Sequence, residues 1–286
     1  MALTRVAEIY ERARKGGYGV AGFCVDGLGT ALAILDAASE ARAPVVVVLW
    51  QEMIRAVGSG YLEAIIKHGA SQVNVPVAIM LDHGTDLAMC LESMVHGHSA
   101  VMIDASHHSF EDNIRLTREV CDLAHLVNIA VEGELGAIRR TFEKTGEYAE
   151  ETTLTDPSLV PIFVERTGVD ALAVSIGNES GIPSKAPELD FERLSKIASS
   201  TNVHLVIHGG SGTPGDDVRR AVACGATAFR FASEIWVTYL KAMKTAQTGL
   251  LKDYPDTRYV FGPARKAAKE VVLERIEQLG CAGKAW

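Results

Sequence analysis

The residues of this chain that can do chemistry stand where short apolar runs end. Asp82 and His83 close one run, Asp104 the next and Glu134 the one after; Glu179 and Ser180 follow a fourth, and His208 closes a fifth just before Gly-Gly-Ser-Gly. One polar residue closing a strand is an ordinary hydrogen-bonding terminus, but imidazoles and carboxylates gathered at equivalent strand ends make the donor set of a divalent metal site. Mixed nitrogen and carboxylate donors suit zinc best. A metal site therefore needs a frame that brings five strand ends to one rim.

The apolar runs supply that frame. They read Gly19 to Val25, Pro44 to Trp50, Val75 to Leu81, Ala100 to Asp104, Ile129 to Glu134, Ala171 to Ile176, Val203 to His208 and Ala226 to Ala232. Each is short and rich in β-branched residues, and stretches of helical periodicity such as LAMCLESMVHG and FEDNIRLTREVCDLAHL lie between them. Strand then helix, eight times without a change of pattern, predicts a parallel sheet closed into a (β/α)8 TIM barrel rather than an open doubly wound sheet. No Pro-rich or Gly/Ser-rich linker divides residues 1–286, which read as one domain with extra helices from about 242 to 286. Two connections are longer than the repeat requires, Ala137 to Thr155 and the GNESGIPSKAPELD loop, and both follow strand C-termini, the catalytic face of such a barrel.

Composition excludes several classes. With 48% hydrophobic and 22% charged residues the chain has the balance of a globular protein, not of a disordered or coiled-coil one. Lys and Arg number 28 against 36 Asp and Glu, a net charge of -8, so no basic face is available for a phosphate backbone and nucleic acid is not expected as a partner. The five cysteines, Cys24, Cys90, Cys121, Cys224 and Cys281, are widely spaced with no CxxC pair, which reads as reduced thiols and a cytoplasmic location. The opening MALTRVAEIYERARKGGYG reads as an amphipathic helix ending in glycine rather than an export leader, and no apolar run reaches the ~18 residues of a membrane span.

The segments LDHGTDLAMC, SAVMIDASHHSFEDNIRLTREV, VEGELGAI, TGVDALAVSIGN, LDFERL, LVIHGGSGTP and PARKAAKEVVLERIEQLGCAGKA resemble the class II, metal-dependent ketose-bisphosphate aldolases of the fructose and tagatose type. The resemblance implies a TIM barrel whose zinc polarises a ketose phosphate carbonyl and stabilises an enediolate on carbon–carbon cleavage. It implies Asp82 as the acid/base on the hydroxyl of the scissile bond and His83 as a zinc ligand. Successive side chains leave a strand on opposite sides, so this pair can flank a substrate with proton carrier and metal. His208 matches a second zinc histidine, Gly209 and Ser211 match phosphate donors, Glu134 a carboxylate holding the metal in a more buried position, and Asp104 an acid close by. Homo-oligomers, dimers or tetramers, are also implied, with Arg265 in PAR matching a recurrent feature.

The departures cluster around the substrate. Where the family reads GNxHG for its third zinc histidine, this chain reads GNESG, with Ser180 at the histidine position. The site then consists of His83 and His208 completed by Glu179, Glu134 or Asp104, a set that suits Zn2+, with Mn2+ or another oxygen-tolerant ion as the alternative. After the Glu134 motif the family's double glycine and acidic run are replaced by Arg139, Arg140 and a segment containing Glu143, Glu147, Glu150 and Glu151 as alternative proton donors. Strand eight carries Arg230 where the family has Asn, and Ser233 keeps a hydroxyl for phosphate. Trp50 replaces a small polar residue, and Gly181 stands with Gly209, Ser211, Arg230 and Ser233 on the substrate side. Two readings follow. In the first, an aldolase acts on a sugar phosphate or sugar acid with altered specificity, Arg230 taking an acidic group. In the second, an aldolase-fold protein has lost the standard zinc site and binds an anionic metabolite or runs another metal-assisted reaction. Retention of Asp82, His83 and His208 favours the first.

Other residues are set aside. His96 and His98 lie at a helix exit on the far face and read as surface residues, and His107 and His108 read as capping or packing. His68, His125 and His204 carry no role. GGSG lacks the Lys-Ser/Thr pair of a nucleotide loop.

Overall fold

The computed structural model describes residues 3–58, 60–138, 153–250 and 256–286. The chain opens with α1 (Val6–Gly16), stopped by Gly17 at φ 65°, a left-handed cap that glycine takes without cost. Then β1 (Val20–Cys24), α2 (Leu28–Ala41), β2 (Val45–Trp50), α3 (Gln51–Val57), α4 (Tyr61–Ser71), β3 (Val77–Gly84), α5 (Leu87–Val95), β4 (Ala100–Ile103), α6 (Phe110–Leu126), β5 (Ala130–Leu135), α7 (Val160–Thr167), β6 (Ala171–Val174), α8 (Phe191–Ser200), β7 (His204–Ile207), α9 (Gly215–Ala223), β8 (Ala226–Phe231), α10 (Ser233–Thr248) and α11 (Arg258–Gln278) follow in order. All eight strands are parallel, and β1 pairs with both β2 and β8, so the sheet closes on itself.

The strands form because runs such as VVVVLW bury both faces, as a parallel barrel covered by helices demands. Several helices begin where a short polar side chain takes an orphan amide: Asp86 accepts from Met89 N at 2.8 Å, Ser109 from Asp112 N at 3.2 Å, and Asp190 from Arg193 N at 2.9 Å. The eight strands and the barrel are those the sequence predicts.

Two features differ from the sequence reading. An added helix, α3, follows β2 directly; QEMIRAV has no side-chain cap and too few residues to show a period. His98 is not a surface residue but is buried, with Nε2 3.1 Å from Glu63 Oε1. The C-terminal helices are α10, which begins at Ser233 immediately after β8, and α11.

Two details shape the site. The β3–β4 register breaks between Leu81 and Gly84, and within that irregularity His83 takes φ 49°. Such bulges re-aim a side chain at a barrel rim. At the opposite end α1 packs against β1, β3 and β8 and places the Tyr10 ring 6.0 Å from the Arg230 guanidinium carbon.

Candidate metal centre and substrate cleft

The polar residues converge on the strand C-termini. β3 delivers Asp82 and His83, the residue after β4 is Asp104, β5 carries Glu132 and Glu134, and His208 follows β7. Glu132 and Glu134 are two residues apart and therefore point the same way, into the barrel, while Gly133 between them faces Phe163 and Val169 on the helix side. All six acids and histidines are buried.

Each histidine is held by a carboxylate. His83 Nδ1 lies 2.8 Å from Asp104 Oδ2 and 3.8 Å from Glu134 Oε2. His208 Nε2 lies 2.8 Å from Glu132 Oε1, and its Nδ1 is 3.9 Å from Asp82 Oδ1. If each carboxylate accepts an N–H, the remaining ring nitrogens are His83 Nε2 and His208 Nδ1, and these face each other at 3.0 Å. Two lone pairs that close repel unless a cation or a shared proton stands between them. A carboxylate behind each imidazole is the arrangement that orients metal-ligating histidines.

Charge gives a second test of fit. Asp82, Asp104, Glu132 and Glu134 are buried together with one guanidinium, Arg230, and buried charge of one sign needs a counter-ion. Two donor groups emerge among the described residues, Asp82 with His83 and His208, and His83 with Asp104 and Glu134, each with ligand atoms within 4.8 Å of one another. His83 belongs to both through its two ring nitrogens. The residues present thus fit a divalent ion held by His83, His208 and Asp82, or a deeper one held by His83, Asp104 and Glu134. Glu179, named from the sequence as a completing ligand, is in neither group. The Glu179 carbonyl lies close against Gly209, whose φ of 68° and missing Cβ permit the approach.

Supporting contacts hold the acids. Ser106 donates to Asp104 Oδ1 at 2.8 Å, Asn113 donates to the Glu134 carbonyl at 2.9 Å, and Asn178 donates to the His208 carbonyl at 2.9 Å. Arg230 Nη2 donates to Glu132 Oε2 at 2.5 Å and approaches Met80 Sδ at 3.1 Å, while its Nε is 3.9 Å from Asp82 Oδ1. Burial alone would lower the Arg230 pKa, but the charges of Glu132, Tyr10 and Asp82 outweigh it and raise it, so the guanidinium is permanently charged. Among the described residues, Arg230 Nε and Nη1 have no hydrogen-bond partner of ordinary geometry.

Above the acids opens a cleft of about 500 Å³ lined by Cys24, Trp50, Asp82, His83, Ser180, Gly181, His208, Gly209, Ser211, Arg230, Ser233 and Trp236. It brings together the substrate-side residues expected from the sequence, Gly181, Gly209, Ser211, Arg230, Ser233 and Trp50, with Ser180. Ser211 Oγ accepts from the amides of Ala232 at 3.2 Å and Glu234 at 3.4 Å, which leaves its hydroxyl proton to donate. Trp50 stacks on Trp236 at 6.3 Å, and Trp236 Nε1 donates to the Cys24 carbonyl at 3.2 Å, giving the cleft a fixed aromatic side. Burial pushes the Cys24 thiol pKa well up, so it is no nucleophile. Arg139, Arg140, Glu143, Glu147, Glu150 and Glu151 lie outside the described residues.

The sequence reading overlooked Glu132, Ser106 and Asn178. Glu132 had a signal: a carboxylate in a buried strand, two residues before Glu134 and on the same face.

The family model described as Fructose-bisphosphate aldolase class-II matches residues 4–284. The chain is 34% identical, over 290 aligned positions covering all of both chains, to the probable fructose-bisphosphate aldolase of Bacillus subtilis (strain 168). It is also 34% identical to the fructose-bisphosphate aldolase of Geobacillus stearothermophilus, covering 100% of this chain and 99% of that one. The crystal structure of the YdjI aldolase from Escherichia coli K12 matches with a TM-score of 0.85 at 32% identity, covering 99% of this chain and 100% of that one.

Proposed function

The chain belongs to the class II fructose-bisphosphate aldolase family and is a carbon–carbon lyase, and from that premise we propose that it reversibly cleaves a phosphorylated or acidic ketose with one divalent ion held by His83 and His208. The observation that carries this reading is the pair of ring nitrogens, His83 Nε2 and His208 Nδ1, facing each other at 3.0 Å with a carboxylate behind each ring. Zinc is the ion proposed, with manganese the alternative. When bound, the ion supplies a Lewis acid for the substrate carbonyl.

The protein's own groups do the rest. Asp82 takes the proton of the hydroxyl on the carbon released as aldehyde, and returns it in the condensation direction. Gly181, Gly209, Ser211 and Ser233, which line the cleft, receive a phosphate through backbone amides and hydroxyls. Arg230 adds a permanent positive charge to the cleft lining, which favours an acidic substrate, and Trp50 with Trp236 offers a flat apolar surface to the carbon chain. These two departures support a specificity other than that of fructose bisphosphate. Five unpaired cysteines fit a cytoplasmic enzyme, and Leu240, Tyr259 and Phe261, exposed on α10 and α11, suit contact with a second copy of the chain.

Ser180, where the family carries a third histidine, favours a second reading, an anion-binding protein without aldol chemistry. Elemental mass spectrometry of protein purified without chelator separates the two. About one zinc or manganese per chain, lost in both His83→Ala and His208→Ala, with retro-aldol cleavage of a ketose 1-phosphate or sugar acid that Asp82→Asn reduces by about 10²- to 10⁴-fold, supports the aldolase reading. No metal after titration with zinc and manganese transfers the site to the second.

A further inference from the structure

Glu132 does not line the cleft but stands behind His208, and Arg230 connects it to the cleft lining. Glu132 uses both oxygens: Oε1 faces His208 Nε2 at 2.8 Å and Oε2 faces Arg230 Nη2 at 2.5 Å. Both neighbours are placed to donate, and an arginine can do nothing else. Arg230 reaches across the barrel from β8 to β5, past Met80 Sδ, along a path that Gly22 on β1 leaves open; a Cβ at Gly22 would stand 2.6 Å from Arg230 Nη1 and 2.8 Å from its Cδ. Both residues are almost wholly buried, so neither carboxylate oxygen has water as a substitute partner.

We propose that Glu132 and Arg230 are a positioning pair: Arg230 occupies one oxygen of Glu132 so that the other accepts the His208 Nε2–H, leaving His208 Nδ1 as a lone pair aimed at His83 Nε2. The inference rests on His208 being a metal ligand, and it assigns to Arg230 a task besides any contact with substrate. The imidazole has one proton when neutral, and which nitrogen carries it decides whether the ring can ligate towards His83. An acceptor fixed behind Nε2 makes that choice, and the guanidinium on the carboxylate's other oxygen holds the acceptor in place.

The chemistry of glutamine makes the pair testable. In Glu132→Gln the side chain keeps one acceptor and gains a donor, yet both neighbours still donate. Arg230 claims the amide oxygen, the amide NH2 turns to His208 Nε2, and the ring proton is driven to Nδ1, where it blocks ligation. Zinc affinity, measured by competition with a chelating dye, is expected to fall on the order of 10- to 100-fold. In Glu132→Gln/Arg230→Met the amide oxygen is released to His208, and part of that loss is expected to return. A purely structural role predicts the opposite, since removing a second buried partner adds damage.

A measurement on the unaltered protein guards against variants that do not fold. Long-range ¹H–¹⁵N spectra of histidine-labelled, metal-free protein, with His208 assigned by its loss in His208→Gln, report which nitrogen is protonated. A protonated Nε2 on His208 supports the proposal. An unprotonated Nε2, or a folded Glu132→Gln with unchanged zinc affinity, overturns it, and a double variant no better than the single overturns the part given to Arg230. Wild-type protein that binds no metal, with Nε2 of His208 protonated, overturns the ligand assignment and not the orientation of the ring.

Discussion

Ser180 reaches the same cleft as His83 and His208 but brings a hydroxyl, a weaker zinc donor than an imidazole. The two histidines already have carboxylates behind them, so a third nitrogen from position 180 would add to a preformed pair rather than create a site. Ser180→His is therefore expected to tighten zinc binding by at least about tenfold, about 1.4 kcal/mol, in chelator competition; unchanged affinity would show that side chains at 180 do not reach the ion. At this scale much of the site was legible. Asp82, His83, Asp104, Glu134 and His208 announce themselves because charged groups ending buried strands have few other reasons to be there. Glu132 shares the face of Glu134 two residues away, but its task was not legible, because its partner Arg230 is 98 residues away along the chain, a pairing that only barrel closure creates. Glu179, beside Ser180 in the turn after β6, stands outside both donor groups, and its carbonyl lies against Gly209.

Elements were legible where burial dictates the pattern and illegible where a helix is too short to show one. The β-branched runs gave all eight strands, whereas α3 has seven residues and no cap. The glycine in β1 was read only as part of a strand, yet its missing Cβ is what admits Arg230. Gly22→Ala is expected to cost about 1–3 kcal/mol in urea unfolding through overpacking, and to weaken zinc binding as well, because Arg230 must shift from Glu132. Between α1 and β7 the ring of His204 meets Tyr10 edge-on at 5.5 Å, with Nδ1 lacking a hydrogen-bond partner among the described residues. Burial, helped by Arg14 and opposed by Glu11 and Asp170, depresses the His204 pKa from 6.5 to about 4. The unfolded chain takes up this proton near pH 6.5 and the folded chain only near pH 4, so stability is lost as pH falls through that window. Between pH 7.5 and 5.0 the loss from this one group is about 2 kcal/mol. His204→Phe keeps the ring and removes the titration; the fall in its urea-unfolding free energy over that interval is expected to be smaller than wild type's by that amount, and an equal fall in both proteins would refute the assignment.

For the molecule as a whole, the C-terminal helix α11 packs against α10 and α2 and reaches β1, so it covers the seam where the last strand meets the first. Two arginines tie it down in different surroundings. Arg265 makes a two-pronged contact with Asp36 of α2 at 2.6 and 2.7 Å, but both side chains are more than a third exposed. Arg275 makes the same contact with Glu234 at 2.7 and 2.6 Å, and also donates to the Thr213 carbonyl at 2.9 Å, with its own side chain 9% and Glu234 15% exposed. Water replaces a lost partner at the first pair and cannot at the second. Arg265→Met is expected to cost no more than about 1 kcal/mol, and Arg275→Met about 3 kcal/mol or more, since it strands a largely buried carboxylate. The second change also reaches the cleft. Glu234 stands next to Ser233 in the first turn of α10, its amide donates to Ser211 Oγ, and Thr213 closes the loop that carries Ser211. Arg275→Met is thus expected to raise KM for a phosphorylated substrate while leaving the zinc content of the folded enzyme unchanged, because His83 and His208 hang from β3 and β7 and not from α11. Loss of zinc with KM unaltered would reverse that order and place the seam's influence on the metal rather than on the anion.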